Sequence, residues 1–125
     1  GSSKITETIF ENRMNHVDLL NQMGSSITLK DNIAHINGVK KLRGMTLVGL
    51  DLRSSAALII AALTSKSVSY VYGLEHLDRG YENFEQKLSK LGIEIKRQIT
   101  KRTISGYNYG NVNSNNKEVS EIKAA

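Results

Sequence analysis

Apolar and polar positions alternate with two periods along this 125-residue chain, and the switches between them mark out its elements. Ile5, Thr6, Thr8, Ile9 and Phe10 make a β-prone opening. From His16 to Met23, Val17, Leu20 and Met23 share one helical face, with Asn15 as the expected N-cap and Gly24 as terminator. In "SITLKDNIAHING", Ile27 and Leu29 alternate, Asp31-Asn32 turns, and Ile33, His35 and Asn37 alternate back, which predicts a hairpin. "MTLVGL" predicts a short buried strand and Leu52 to Leu63 a buried helix, followed by a further strand in "SVSYVYGL". "ENFEQKLSKLG" sets Phe84, Leu88 and Leu91 at helical spacing before Gly92, and "IEIKRQI" then reads as a solvent-facing strand. Residues 4–98 form the expected folded portion. The remainder, 99–125, is rich in Asn, Ser, Gly and Lys and reads as a flexible polar tail, with a short helix near Val119 to Ala125.

Two blocks look like copies. "RMNHVDLLNQMGSSITLKD" and "RGYENFEQKLSKLGIEIKR" both run arginine, helix, glycine, alternating strand. This suggests a repeated α/β unit. The expected fold class is α/β, or α+β by a stricter label.

Composition narrows the function classes. Apolar content of 39% and charged content of 23% describe an ordinary folded protein. The longest apolar run, Ala56 to Leu63, is far shorter than the roughly 20 residues a bilayer requires, so no membrane is expected. Gly1 to Lys4 leads straight into a strand-like segment, and no cleavable signal is expected. The absence of cysteine removes disulfide and thiolate chemistry from these residues and fits a reducing cytoplasm. His16, His35 and His76 have the wrong spacing for a metal set, so neither metal nor cofactor is expected. Ser54 and Ser55 lack the glycine pattern of a nucleophile elbow and suit capping or phosphate hydrogen bonding. The net charge of +5 suits small phosphate-bearing substrates and nucleic acid alike. Tyr70 and Tyr72 read as sheet-lining, Tyr81 as packed at a helix start, and "KKLR" and "KRQITKR" as solvated surface, so nucleic acid is not expected.

Arg53 poses a question of sign. It falls in the first turn of the central helix, where the partial positive charge of the helix end opposes a cation. Arg13 and Arg79 also lie within a few residues of expected helix starts. An anion resolves the conflict, because free N–H groups and a guanidinium fork together hold a phosphate or carboxylate. Asp51 can cap the helix and hold a neighbouring cation, and Asp78 stands beside Arg79 in the same way. A single arginine so placed is as a rule a surface residue; three of them put an anion site level with that plain reading, and composition does not decide between the two.

"ITETIFENR", "HVDLLNQMG", "DLRSSAALIIAAL" and "HLDRGYENFEQKLSKLGIEIKR", in this order from Ile5 to Arg97, resemble the C-terminal part of enolpyruvyl transferases that use UDP-N-acetylglucosamine. The resemblance leaves the tail unmatched. It implies a two-domain enzyme of repeated βαβαββ units, part of an inside-out α/β barrel, with its active site between the domains. It further implies transfer of enolpyruvyl from phosphoenolpyruvate to UDP-N-acetylglucosamine, with release of phosphate, in peptidoglycan synthesis. On the matching motifs, Arg13 and Arg53 are implied to bind the phosphoenolpyruvate carboxylate and phosphate. Arg79 is implied to clamp that substrate during catalysis, Asp51 to be the active-site aspartate, and Ile9 to contact the sugar nucleotide. The family's N-terminal lysine and catalytic loop have no counterpart in these residues, so the chain alone is expected to be inactive. Its expected partner is the missing N-terminal part or a second copy of itself, and the alternative is a non-catalytic remnant acting as a binding module. Met14 and Leu50 depart from the family pattern, and Leu50 removes a hydroxyl beside the expected anion site.

Overall fold

A computed structural model of the chain describes residues 1–100 and 119–124. Its elements run β1 (Ser2–Thr6), α1 (Val17–Gln22), β2 (Ser26–Lys30), β3 (Ile33–Asn37), β4 (Thr46–Val48), α2 (Leu52–Leu63), β5 (Ser69–Tyr72), α3 (Leu74–Asp78), α4 (Phe84–Ser89), β6 (Ile95–Thr100) and β7 (Val119–Ala124). They build two sheets. The first is antiparallel, in the order β1-β3-β2; the second is mixed, in the order β4-β5-β7-β6, with β4 and β5 parallel. The α/β class expected from the sequence is what the chain adopts.

Helix α2 is the centre of the core. Its Leu58, Ile59 and Ala62 are fully buried in one cluster with Leu47 of β4, Val71 of β5, Leu77 of α3, and Ile122 and Ala124 of β7. Each such leucine or isoleucine contributes about 1.5–3 kcal/mol of burial. Strand β5 is buried along both faces at Ser69, Val71 and Tyr72, because it has neighbours on both edges and α2 across it. Strand β6 is mainly solvent-facing, as expected, and buries Ile95 at its start.

The repeat seen in the sequence is a repeat of topology. In β1-α1-β2-β3 the last strand inserts between the first two, so that Ser2 and Ser26 both face Asn37. In β5-α4-β6-β7 the last strand does the same, and Ser69 and Ile95 both face Ala124. Gly24 and Gly92 end the equivalent helices with φ of 99° and 82°, backbone that glycine adopts without a Cβ penalty. With β4 and α2 in front, the second copy completes a βαβαββ unit.

Three expectations fail. Asn15 does not cap α1; His16 takes that position with helical φ and ψ and without a side-chain cap bond, while the Asn15 amide reaches elsewhere. The helix expected near Val119 to Ala125 is strand β7, because pairing with both β5 and β6 outweighs the weak local preference of "VSEIKA". The tail read from residue 99 therefore begins inside β6 and ends in β7; its middle, 101–118, lies outside the described residues. Helix α3, only five residues long, had no periodic signal. Among the described residues, no helix is long and apolar enough to cross a membrane.

Candidate active site

The N-terminal end of α2 carries two of the residues singled out from the sequence, Asp51 and Arg53. Asp51 is its N-cap, with extended backbone, and its Oδ1 accepts the Ser54 N–H at 2.9 Å. Ser54 Oγ in turn accepts the N–H groups of Asp51 and Leu50 at 3.0 and 3.1 Å, completing a capping box. The second oxygen, Oδ2, accepts the side-chain amide of Asn15 at 2.9 Å. Burial pushes the Asp51 carboxyl upward, but donors from Ser54, Asn15 and the Arg53 N–H outweigh it and hold the group below the ordinary carboxylate range. Asp51 is thus a fixed negative charge at neutral pH.

This carboxylate supplies part of the answer to the sign question. Arg53 sits two positions after an ionised cap that offsets the dipole. Its side chain is exposed and enters no ion pair among the described residues. The guanidinium is free to meet an external anion. The expectation that Asp51 holds a neighbouring cation is not met: its side-chain partners are Asn15 and Ser54.

The Asn15–Asp51 bond docks the 7–16 loop against α2. Glu7 organises that loop: Oε1 accepts the N–H groups of Ile9 and Phe10 at 2.9 and 3.3 Å, and Oε2 accepts Arg13 Nη1 at 3.4 Å. Arg13 also lies over the Phe10 ring, 3.8 Å from its centroid. Ile9 is 74% exposed, presented to solvent rather than packed. Ile9 and Arg13 line an open groove of about 790 Å³ with Glu7, Asn15, Asp18 and Asp31 among its walls; Asp51, Arg53 and Arg79 lie outside it. His16, next to Asn15, is half-buried with Nδ1 unpartnered, and burial lowers its pKa against the opposing charge of Asp51.

Arg79 belongs to a different segment, the end of α3. It is the C-cap of α3, exposed, and free of ion pairs among the described residues. Its cation therefore stands where a helix dipole favours it, so the sign argument made for Arg53 does not extend to Arg79. A Cβ built on the next residue, Gly80, would fall 2.5 Å from Leu52 Cδ2, so the turn carrying Arg79 lies directly against the first residue of α2. Tyr81 packs on Phe84 of α4 with ring centroids 5.3 Å apart, at a helix start as expected. Asp78 does not hold Arg79; both of its oxygens belong to Arg97.

Sequence reasoning missed Glu7 and Arg97, and gave Asn15 only a capping role. A carboxylate two and three positions before the N–H groups it accepts is a local pattern that could have revealed Glu7. Asn15 meets its partner 36 residues away, and Arg97 meets its two at 19 and 12, so neither leaves a local trace.

The chain is similar to known proteins along its whole length. It is 88% identical over all 125 residues to the UDP-N-acetylglucosamine 1-carboxyvinyltransferase of Prochlorococcus marinus subsp. pastoris (strain CCMP1986 / NIES-2087 / MED4), covering 27% of that protein. It is 53% identical over 97 residues to the same-named protein of Synechocystis sp. (strain ATCC 27184 / PCC 6803 / Kazusa), covering 78% of this chain and 22% of that one. The chain thus spans about a quarter of the length of the curated relatives it matches. The first match includes the residues after Gln98, which the motif resemblance had left unmatched. Among solved structures, the enolpyruvyl transferase NikO from Streptomyces tendae superposes with a TM-score of 0.67 at 30% identity, covering 74% of this chain and 22% of that one. The model of the EPSP synthase (3-phosphoshikimate 1-carboxyvinyltransferase) family matches residues 1–88, and in keeping with its complete βαβαββ unit the chain belongs to that family.

Proposed function

We propose that this chain is the C-terminal portion of an enzyme that transfers enolpyruvyl from phosphoenolpyruvate to UDP-N-acetylglucosamine with release of phosphate, a cytoplasmic step of peptidoglycan synthesis. One observation carries the reading. The Asn15–Asp51 bond and the Gly80–Leu52 contact bring the segments of Arg13 and Arg79 to the helix end that bears Arg53, and two of these three cations are unpaired among the described residues. Such transfer passes through a heavily anionic tetrahedral intermediate, for which preset positive charge is the effective catalyst. Arginine keeps that charge at any working pH and takes no proton from the reaction.

In this reading Arg13 and Arg53 bind the carboxylate and phosphate of phosphoenolpyruvate, and Arg79 clamps the same substrate. Asp51 is the active-site aspartate, orienting groups around it as an anion. Exposed Ile9 meets the sugar nucleotide. A chain with about a quarter of the enzyme's length supplies one wall of the site, so it binds without turning over and needs its missing portion, or a second copy, for the other wall. No nucleic acid takes part.

The test is an amide NMR titration with phosphoenolpyruvate beside an Arg53→Ala control, together with a phosphate-release assay. Shifts centred on Arg13, Asp51, Arg53 and Arg79 that the control lacks, without phosphate release, are expected. A folded chain without shifts would favour a non-catalytic binding module, and turnover by the chain alone would refute its dependence on a second part.

A further inference from the structure

A single arginine of β6 ties together both ends of the turn that carries Arg79. Nη1 and Nη2 of Arg97 donate to the two oxygens of Asp78 at 3.0 and 2.7 Å. Nε and Nη2 donate to the two oxygens of Glu85 at 2.9 and 3.2 Å. Asp78 is the last residue of α3, and Glu85 lies in the first turn of α4. The guanidinium therefore closes residues 79–83 from both sides and pins them to the sheet. The geometry is fork to fork with each carboxylate, which combines charge with direction.

Two further features give this clasp a purpose beyond stability. Asn83, inside the turn, has φ of 49°, a left-handed conformation that a non-glycine residue keeps only when its surroundings hold it. Asp78 is also the carboxylate next to Arg79 in the chain. With both oxygens committed to Arg97, it leaves Arg79 without an ion pair among the described residues. Paired with Asp78, Arg79 would have to surrender that bond before meeting a ligand.

We infer that Arg97 is a positioning residue for Arg79: it fixes the 79–83 turn against α3 and α4 and occupies Asp78, so that the Arg79 guanidinium stays open to an anionic substrate. The inference rests on Arg79 being an anion-binding residue of the proposed site.

A double-mutant cycle separates positioning from general stability. The unmutated chain, Arg97→Gln, Arg79→Ala and the double variant are compared by backbone NMR relaxation and by phosphoenolpyruvate titration. In Arg97→Gln, order parameters over 79–83 should fall from about 0.85 to below about 0.6, while α2 stays rigid. Phosphoenolpyruvate binding should weaken about tenfold, and the same substitution should cost nothing further once Arg79 is alanine. Unchanged order over 79–83, or an equal loss of affinity with and without Arg79, would overturn the inference. Arg97→Lys keeps the charge but offers three donors from one nitrogen instead of the planar fork, so its effects should lie between those of the unmutated chain and Arg97→Gln. It carries the same comparison if Arg97→Gln does not fold. Failure of the unmutated chain to bind phosphoenolpyruvate would remove the functional reading of Arg79, while the order of residues 79–83 would still decide whether the clasp exists.

Discussion

Replacing Asp51 by alanine and by serine separates its two tasks, capping α2 and anchoring Asn15. The cap bond to Ser54 is 2.9 Å long and the Asn15 bond is 2.9 Å. Loss of an N-cap oxygen costs about 1 kcal/mol. The Asn15 bond is solvent-exposed, so its loss adds about 0.5 kcal/mol, the low end for a hydrogen bond. Asp51→Ala should therefore destabilise by about 1.5 kcal/mol in all, a fall in Tm of about 6 °C for a chain of 125 residues. Serine is nearly as good a cap, so Asp51→Ser should recover most of the helix contribution and lose mainly the link to Asn15. The acid branch supplies a second check. Against the upward push of burial, hydrogen bonds hold the native Asp51 pKa below the ordinary carboxylate value of 3.8, so its contribution is full above that value and fades as pH falls through the lower native one. The stability gap between the unmutated and Asp51→Ser chains should accordingly close on acidification below pH 3.8. Thermal denaturation followed by circular dichroism from neutral to acid pH measures both effects. Equal losses for serine and alanine, or a gap that persists in acid, would refute the capping argument.

Two more outcomes follow from local geometry. Gly80→Ala places a methyl group 2.5 Å from Cδ2 of Leu52, a half-buried side chain that can turn aside, so it should cost about 1 kcal/mol, the low end of overpacking, and Leu52→Ala in the same chain should recover part of it; strictly additive losses in denaturant melts would show that the contact is not the cause. Bonds from the Ile9 and Phe10 N–H groups, with the charge of Arg13, hold the Glu7 pKa below the ordinary value of 4.5 against opposing desolvation. The amide shifts of Ile9 and Phe10 should therefore titrate together with a midpoint below pH 4.5 and become pH-independent in Glu7→Gln, the loop order being present above that range and lost through it.

How legible each feature was depended on how local its cause is. Helix α2 has the bounds expected of it, because an apolar run sits directly behind an acidic cap. The β2–β3 hairpin and the two helix–glycine–strand copies were legible for the same reason, each being encoded within about a dozen consecutive residues. Helix α3 was missed because five residues cannot display a 3.6-residue period. Strand β7 was missed although Ile122 and Ala124, both fully buried, alternate with Lys123; two apolar positions in a polar stretch are too few to outweigh its composition.

The candidate site divides along the same line. The sequence by itself determined which side chains are present, including the apolar helix that needs a core and an arginine at an electrostatically awkward helix position. The family resemblance, carried by contiguous motifs, was equally a property of the sequence. Only the tertiary structure decided which groups meet. Asn15 reaches Asp51 across 36 residues instead of capping its own helix. Asp78 turns to Arg97 across 19 residues and leaves its neighbour Arg79 open. Backbone preference and apolar periodicity are carried by neighbouring residues and can be read along the chain. The pairing of charges and amides depends on distance in space, which is settled only once β7 lies between β5 and β6 and α2 has found its place in the core.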